Sequence, residues 1–205
     1  MRTYQIVTDT NSDLPQSYVK EHGLVEVPQY YSIGDEIYEG SAGPSPSEFY
    51  RLMREGSMPK SQAVNPAVVE KTFREILDAG KDILYISFSS ALSGSCDIVR
   101  MVAKQLVEEE YPDAVIEVVD SLCVSLGEGL LVNKALAMQA QGKTLAEVRD
   151  WLVENAVHVC VKFTVDDLFH LQRGGRVSKA TAVVGSVLNL KPVLKLTPEG
   201  KLEAA

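Results

Sequence analysis

Short, continuous apolar runs alternate with longer stretches whose apolar positions recur every three or four residues. Tyr4-Gln5-Ile6-Val7-Thr8, Asp82–Ser87 and Ala114–Asp120 have the length and content of buried strands. Between them lie helical patterns with their own start and stop signals. Ser45-Pro46-Ser47-Glu48 is a capping box that predicts a helix to about Glu55, ended by Gly56. Asn65-Pro66 opens a helix carrying Val69, Phe73, Ile76 and Leu77 on one face, with Gly80 as terminator. Further helices are expected from about Ser93 to Glu110, from Gly127 to Gln141, after the Thr144 cap, after Thr164-Val165-Asp166-Asp167, and from Ser178 to Leu190. Val25 to Tyr38 predicts a hairpin turning at Gly34-Asp35, and Ala156–Thr164 and Pro192–Leu196 predict two more strands.

This order implies an α/β fold: a mostly parallel sheet with helices on both faces, followed by the start of a second α/β domain. The expected division is 1–155 for the N-terminal domain and 156–205 for the beginning of a C-terminal domain that is incomplete. The last residues, Lys201-Leu202-Glu203-Ala204-Ala205, follow a Pro198-Glu199-Gly200 turn and read as a second hairpin strand cut short.

Composition adds exclusions. The net charge of −8 argues against a general nucleic-acid binder. The charge is uneven: residues 156–205 carry seven Lys/Arg against four Asp/Glu, so the first 155 residues carry the acidity. No apolar run approaches a membrane span, and transient contact with a membrane surface is left open. Cys96, Cys123 and Cys160 are few and far apart, which suggests neither a disulfide framework nor a zinc site, and points to a cytoplasmic setting. His22, His158 and His170 are not spaced as metal ligands and read as structural or surface residues.

Candidate chemistry collects where strands give way to helices, because ligands of such sheets bind beyond the carboxyl ends of the strands. Thr8-Asp9-Thr10, Ser87–Ser95 and Asp120-Ser121 are expected at that edge. Ser87-Phe88-Ser89-Ser90-Ala91-Leu92-Ser93-Gly94-Ser95 offers hydroxyls and backbone N–H groups to an anion at a helix N-terminus, or simply caps the helix. A nucleophile elbow is disfavoured, since Ala91 stands where the first Gly of G-x-S-x-G belongs. Gly127-Glu128-Gly129 lacks the full dinucleotide fingerprint, and there is no P-loop. Asp9, Asp13 and Asp120 could hold Mg²⁺, but caps and turn hydrogen bonds explain them more cheaply. Lys60-Ser61-Gln62-Ala63 lies between Pro59 and Pro66 and reads as a stiffened loop aiming Ser61. Arg173-Gly174-Gly175-Arg176 needs unusual backbone freedom and exposes two guanidiniums in a fixed relation.

These blocks, together with Phe163-Thr164-Val165-Asp166-Asp167-Leu168 and Asn189-Leu190-Lys191-Pro192-Val193-Leu194, resemble the DegV family of bacterial fatty-acid-binding proteins. The resemblance implies a non-catalytic lipid-binding protein that needs no cofactor and holds a long-chain fatty acid such as palmitate or oleate between two domains. The carboxylate would rest on Ser61, Ser93 and the backbone at Gly94, with Arg173 and Arg176 near the head group or facing a partner. That partner would be the ATP-binding subunit of a fatty-acid kinase, which converts the presented acid to an acyl phosphate. The rival expectations are a small-molecule kinase or phosphotransfer domain of related fold, and a regulatory protein that senses lipid without presenting it.

Overall fold

The computed structural model describes residues 2–178, 191 and 193–205. Tyr4–Asp9 (β1), Val25–Val27 (β2), Asp82–Ser87 (β6) and Ile116–Asp120 (β7) form a parallel sheet in the order β2-β1-β6-β7. Successive side chains of a strand point to opposite faces, so a continuous apolar run serves two cores at once. Val7, Ile83 and Tyr85 pack against Pro66–Asp78 (α3) and Ser95–Glu109 (α4) on one face. Ile6, Leu84 and Ile86 pack against Leu126–Ala140 (α5) and Leu145–Asn155 (α6) on the other. Gln16–Glu21 (α1) joins β1 to β2.

Local signals set the helix boundaries. The Asn65 side chain accepts the Ala67 N–H, and Val69, Phe73, Ile76 and Leu77 are all buried. Thr144 and Glu147 complete a reciprocal capping box on α6. Ser45 caps Pro46–Arg54 (α2) from one side only, because the Glu48 carboxylate turns to Arg51 instead.

Three expectations are corrected. Only Tyr30–Ile33 (β3) and Glu36–Glu39 (β4) make the hairpin, through Gly34 at φ 61°, whereas Val25–Val27 joins the parallel sheet. Val27 is fully buried there beside β1, a gain that local periodicity cannot report. Lys60–Gln62 is not a loop but a strand (β5) pairing antiparallel with β3, which places Ser61 opposite Tyr31. Residues 156–158 form a 3-10 turn that continues α6, because the Ala156 N–H still finds the Leu152 carbonyl; the strand shrinks to Lys162–Phe163 (β8), and His158 lies outside it.

Beyond β8, Asp167 caps Leu168–Arg173 (α7), and Leu194–Leu196 (β9) and Leu202–Ala204 (β10) complete a three-stranded antiparallel sheet, β10-β9-β8. Leu168 and Leu194 are the centre of its small apolar cluster. The helix expected over 178–190 lies outside the described residues, apart from Ser178.

Candidate functional site

The chain runs from β1 outward to β2, then returns to the opposite side of β1 as β6. This reversal makes the carboxyl ends of β1 and β6 a topological switch point, the usual ligand position of an open parallel sheet. Asp9 closes β1 there, and the Ser87–Ser95 turn leaves β6 beside it. The Asp9 carboxylate spans the gap, accepting the Asn11 N–H at 3.0 Å and the Phe88 N–H at 3.3 Å. Asp120, closing β7, accepts the N–H groups of Ser90 and Leu122 at 3.2 and 3.0 Å. Both carboxylates therefore organise turns, which favours the cheaper of the two sequence readings. Among the described residues no group of three or more metal-ligating side chains converges.

Helix α4 begins at Ser95 with Gly94 as its N-cap, two residues later than expected, and Gly94 has no side chain to cap it. Ser93 does the local work: its Oγ accepts the Ser95 N–H at 3.2 Å. Ser95, fully buried, decides where the protons go. Its Oγ accepts the Val64 N–H and the Gln29 Nε2–H, each at 3.2 Å. With both lone pairs used, its own proton goes to Ser93 Oγ at 2.9 Å, a shorter reach than the 3.4 Å to Gln29 Oε1. Ser93 Oγ then accepts twice, and its remaining function is to donate. Among the described residues no acceptor faces that proton or the Gly94 N–H. Two adjacent donors at a helix N-terminus favour an anionic oxygen.

A buried polar network lies beneath. The Gln29 N–H donates to Thr10 Oγ1 at 3.0 Å and its Nε2 to Ser95 Oγ, so Gln29 joins the turn that follows β1 to the serine turn. Burial pushes the Asp9 carboxyl up to about 6, against the pull of its N–H, amide and Tyr85 donors. Glu128 on α5 is fully buried and accepts the Thr8 hydroxyl at 2.7 Å through Oε1, while Oε2 has no partner among the described residues. Burial, then the nearby Asp9 charge, hold the Glu128 carboxyl well above the usual range. Gly127 and Gly129 let α5 come this close. A Cβ on Gly127 would lie 2.4 Å from Val161 Cγ2, and one on Gly129 would lie 2.8 Å from the Ser12 carbonyl oxygen.

The remaining expected residues divide. Ser61 is exposed on β5 and shares a sheet face with Tyr31 and Tyr38. Among the described residues it makes no direct hydrogen bond to Ser93; the two segments meet through Val64 N–H on Ser95. The Arg173-Gly174-Gly175-Arg176 quartet is a Schellman turn: Gly175 N–H reaches the Gln172 carbonyl, Arg176 N–H reaches the Leu171 carbonyl, and Gly175 sits at φ 76°. The turn sends Arg176 back over the site, where its Nε donates to the Leu92 carbonyl at 3.1 Å. Arg173 stays at the surface and pairs with Asp167 at 3.4 Å.

Sequence reasoning treats Ser95 only as the end of a turn and gives Gln29 no role. Ser95 has a signal, in its place two residues after Ser93. Gln29 has none, because its partners lie 19 and 66 positions away.

The architecture and this edge define a class: an open-sheet α/β protein with a hydroxyl-lined turn at its switch point. The family model described as "Uncharacterised protein, DegV family" matches residues 3–205, and the chain belongs to that family. A DegV domain-containing protein of Clostridium perfringens is 39% identical over 204 residues, covering 98% of this chain and 70% of the relative. One from Streptococcus pyogenes serotype M1 is 41% identical over 203 residues, with the same coverage. Among solved structures, a Thermus thermophilus DegV family protein described by its fatty-acid binding superposes with a TM-score of 0.87 at 35% identity, covering 100% of this chain and 71% of that one. A stearic-acid-binding protein from Eubacterium ventriosum gives 0.90 at 27% identity, covering 99% and 70%. Relatives of this family with the same fold bind fatty acids.

Proposed function

We propose that this protein binds a long-chain fatty acid, with its carboxylate on the Ser93 hydroxyl, the Gly94 N–H and the Ser61 hydroxyl, and presents it to a separate kinase subunit. The observation that carries the reading is the proton accounting at Ser93, whose hydroxyl is left as a donor beside the Gly94 N–H, neither with an acceptor among the described residues. The fatty-acid binding of the relatives supports the same ligand class.

The tail supplies the affinity. Burying a palmitate-sized chain removes about 14 methylenes from water at about 0.8 kcal/mol each, an upper figure of roughly 11 kcal/mol. Leu126 and Leu130 offer apolar surface on α5, at the same sheet edge; they are one helical turn apart and 61% and 59% exposed. The head group needs only to avoid an unsatisfied buried charge, which would cost several kcal/mol. Neutral donors do this without the desolvation cost of a buried ion pair, and leave one carboxylate oxygen open to an incoming phosphoryl group. In this reading residues 1–155 and 156–205 belong to two domains flanking the ligand, Arg176 steadies the serine turn, and the surface guanidinium of Arg173 faces the partner. The chain itself performs no bond-breaking step.

The test is native mass spectrometry of the purified chain for co-purified C14–C18 acids, followed by oleate titration of Ser93→Ala. Loss of one charge-assisted hydrogen bond predicts weakening by about 1–3 kcal/mol. Unchanged oleate affinity in Ser93→Ala would reject the site. Equal acyl-phosphate formation by a partner kinase with the parent and Arg173→Ala would reject the presenting role of Arg173.

A further inference from the structure

The turn that carries Ser93 is gripped from the far end of the chain at a residue the binding reading does not use. Ser89 is fully buried, and every polar group it has is committed. Its N–H donates to the Cys123 carbonyl at 3.0 Å, and its own carbonyl accepts the N–H groups of Leu92 and Ser93 at 3.1 and 3.2 Å. Its Oγ donates to the Gly200 carbonyl at 2.9 Å, across 111 residues of sequence. Gly200 is the tip of the β9–β10 hairpin, held at φ 75° by its N–H on the Thr197 carbonyl. The tip is pressed onto the turn: a Cβ on Gly200 would lie 2.2 Å from Ser89 Oγ and 3.1 Å from Leu122 Cα. Arg176 holds the same turn three residues further on, at the Leu92 carbonyl.

We propose that Ser89, docked on the Gly200 carbonyl of the β9–β10 hairpin, is a positioning residue that aims the Ser93 donor at the head group of the ligand. The hairpin tip reaches Ser93 through the Ser89 hydroxyl, then through the Ser89 carbonyl to the Ser93 N–H. The backbone of the Ser89–Ser93 turn is thereby set by a segment more than 100 residues away. The inference rests on the reading of Ser93 as a carboxylate anchor.

A double-mutant cycle in the full chain tests it, with oleate and oleyl alcohol as probes in a fluorescent-fatty-acid displacement assay. Ser89→Ala removes one buried hydrogen bond, and the expected loss of oleate affinity is about 3–10-fold. Oleyl alcohol has no carboxylate to align, and its affinity should change less than about twofold. Gly200→Ala, which drives a methyl group into Ser89 Oγ, should give the same acid-selective loss. In a Ser93→Ala background the Ser89 effect should largely vanish, because residues acting through one another are not additive. Equal losses for acid and alcohol, or a Ser89 effect undiminished in Ser93→Ala, would overturn the proposal in favour of a general packing role. Should Ser89→Ala unfold, Gly200→Ala decides by the same acid-to-alcohol comparison. A damaging Ser93→Ala with neutral Ser89→Ala defeats this inference alone, whereas a neutral Ser93→Ala defeats the anchor beneath it.

Discussion

Replacing Ser95 with alanine separates the architecture of the site from its contact with ligand. Ser95 Oγ is the acceptor for Val64 N–H and Gln29 Nε2–H and the donor to Ser93 Oγ. Val64 is only 2% exposed, so water does not readily replace the lost acceptor. A buried donor left unpaired costs about 1–3 kcal/mol, and the disturbed Gln29 amide adds about 1 kcal/mol, for a total of roughly 2–4 kcal/mol. For a chain of this size each kcal/mol lowers the melting temperature by about 2–4 °C, which predicts a fall of roughly 4–16 °C. Affinity for oleate should fall as well, because Ser93 loses the hydroxyl that filled its second lone pair and is free to turn. Ser93 itself is only partly buried, and its Oγ accepts one backbone N–H within its own turn. Ser93→Ala should therefore lose oleate affinity while melting within about 3 °C of the parent. Differential scanning calorimetry beside oleate titration reads both quantities. A Ser95→Ala protein that melts with the parent would show that the Val64 and Gln29 contacts carry no load, and the proton accounting at Ser93 would fall with them.

The buried carboxyls give the chain an inverted pH response at its core. An acid raised from 3.8 to about 6 on folding binds its proton more tightly in the native state, so the Asp9 contribution is present below pH 4 and lost as pH rises through 6. The gap between those two values corresponds to about 3 kcal/mol as an upper figure. Glu128, also held well above the usual carboxylate range, adds a decline of the same sign, and Glu128→Gln, which keeps the Thr8 bond, should flatten the fall in stability between pH 5 and pH 8 in urea unfolding. An unchanged slope in that variant would mean Glu128 is ionised in the native state. Gly43→Ala puts a Cβ 1.8 Å from the Tyr31 hydroxyl and should displace that ring from Phe49 and Tyr38, with about 1–3 kcal/mol lost in chemical denaturation. A neutral result would mean that the ring moves aside freely. Thr144→Ala removes the capping box of α6 and should cost about 1 kcal/mol without altering oleate affinity. A change in affinity there would couple α6 to the site by a route other than direct contact.

How far the sequence carries the fold depends on whether each signal is local. The Asp82–Ser87 run is β6 to the residue, and the caps at Asn65, Thr144 and Asp167 are where short-range hydrogen-bond chemistry places them. The departures fall where a strand exists only because of a distant partner. Periodicity joins Val25–Val27 to its neighbour in sequence, although β1 claims it, and Lys60–Gln62 has the polar content of a loop until β3 pairs with it. Ala156–His158 shows the converse, a helix prolonged by one 3-10 turn where apolar content suggests a strand.

The site divides along the same line. Ser93, Gly94 and the Arg173–Arg176 quartet are visible as chemistry because hydroxyls, glycines and guanidiniums at close spacing constrain a backbone by themselves. The linear chain therefore determined the alternation of strand and helix, the edge at which ligands gather and the residue types available there. Tertiary structure alone decided which hydroxyl donates, because that depends on Ser95 having its lone pairs filled by Gln29 and Val64 from two other segments. It also decided that Arg176 rather than Arg173 reaches the serine turn, and that Gly200 fastens Ser89. Hydrogen-bond direction and long-range docking are properties of several segments at once, and no single stretch of sequence contains them.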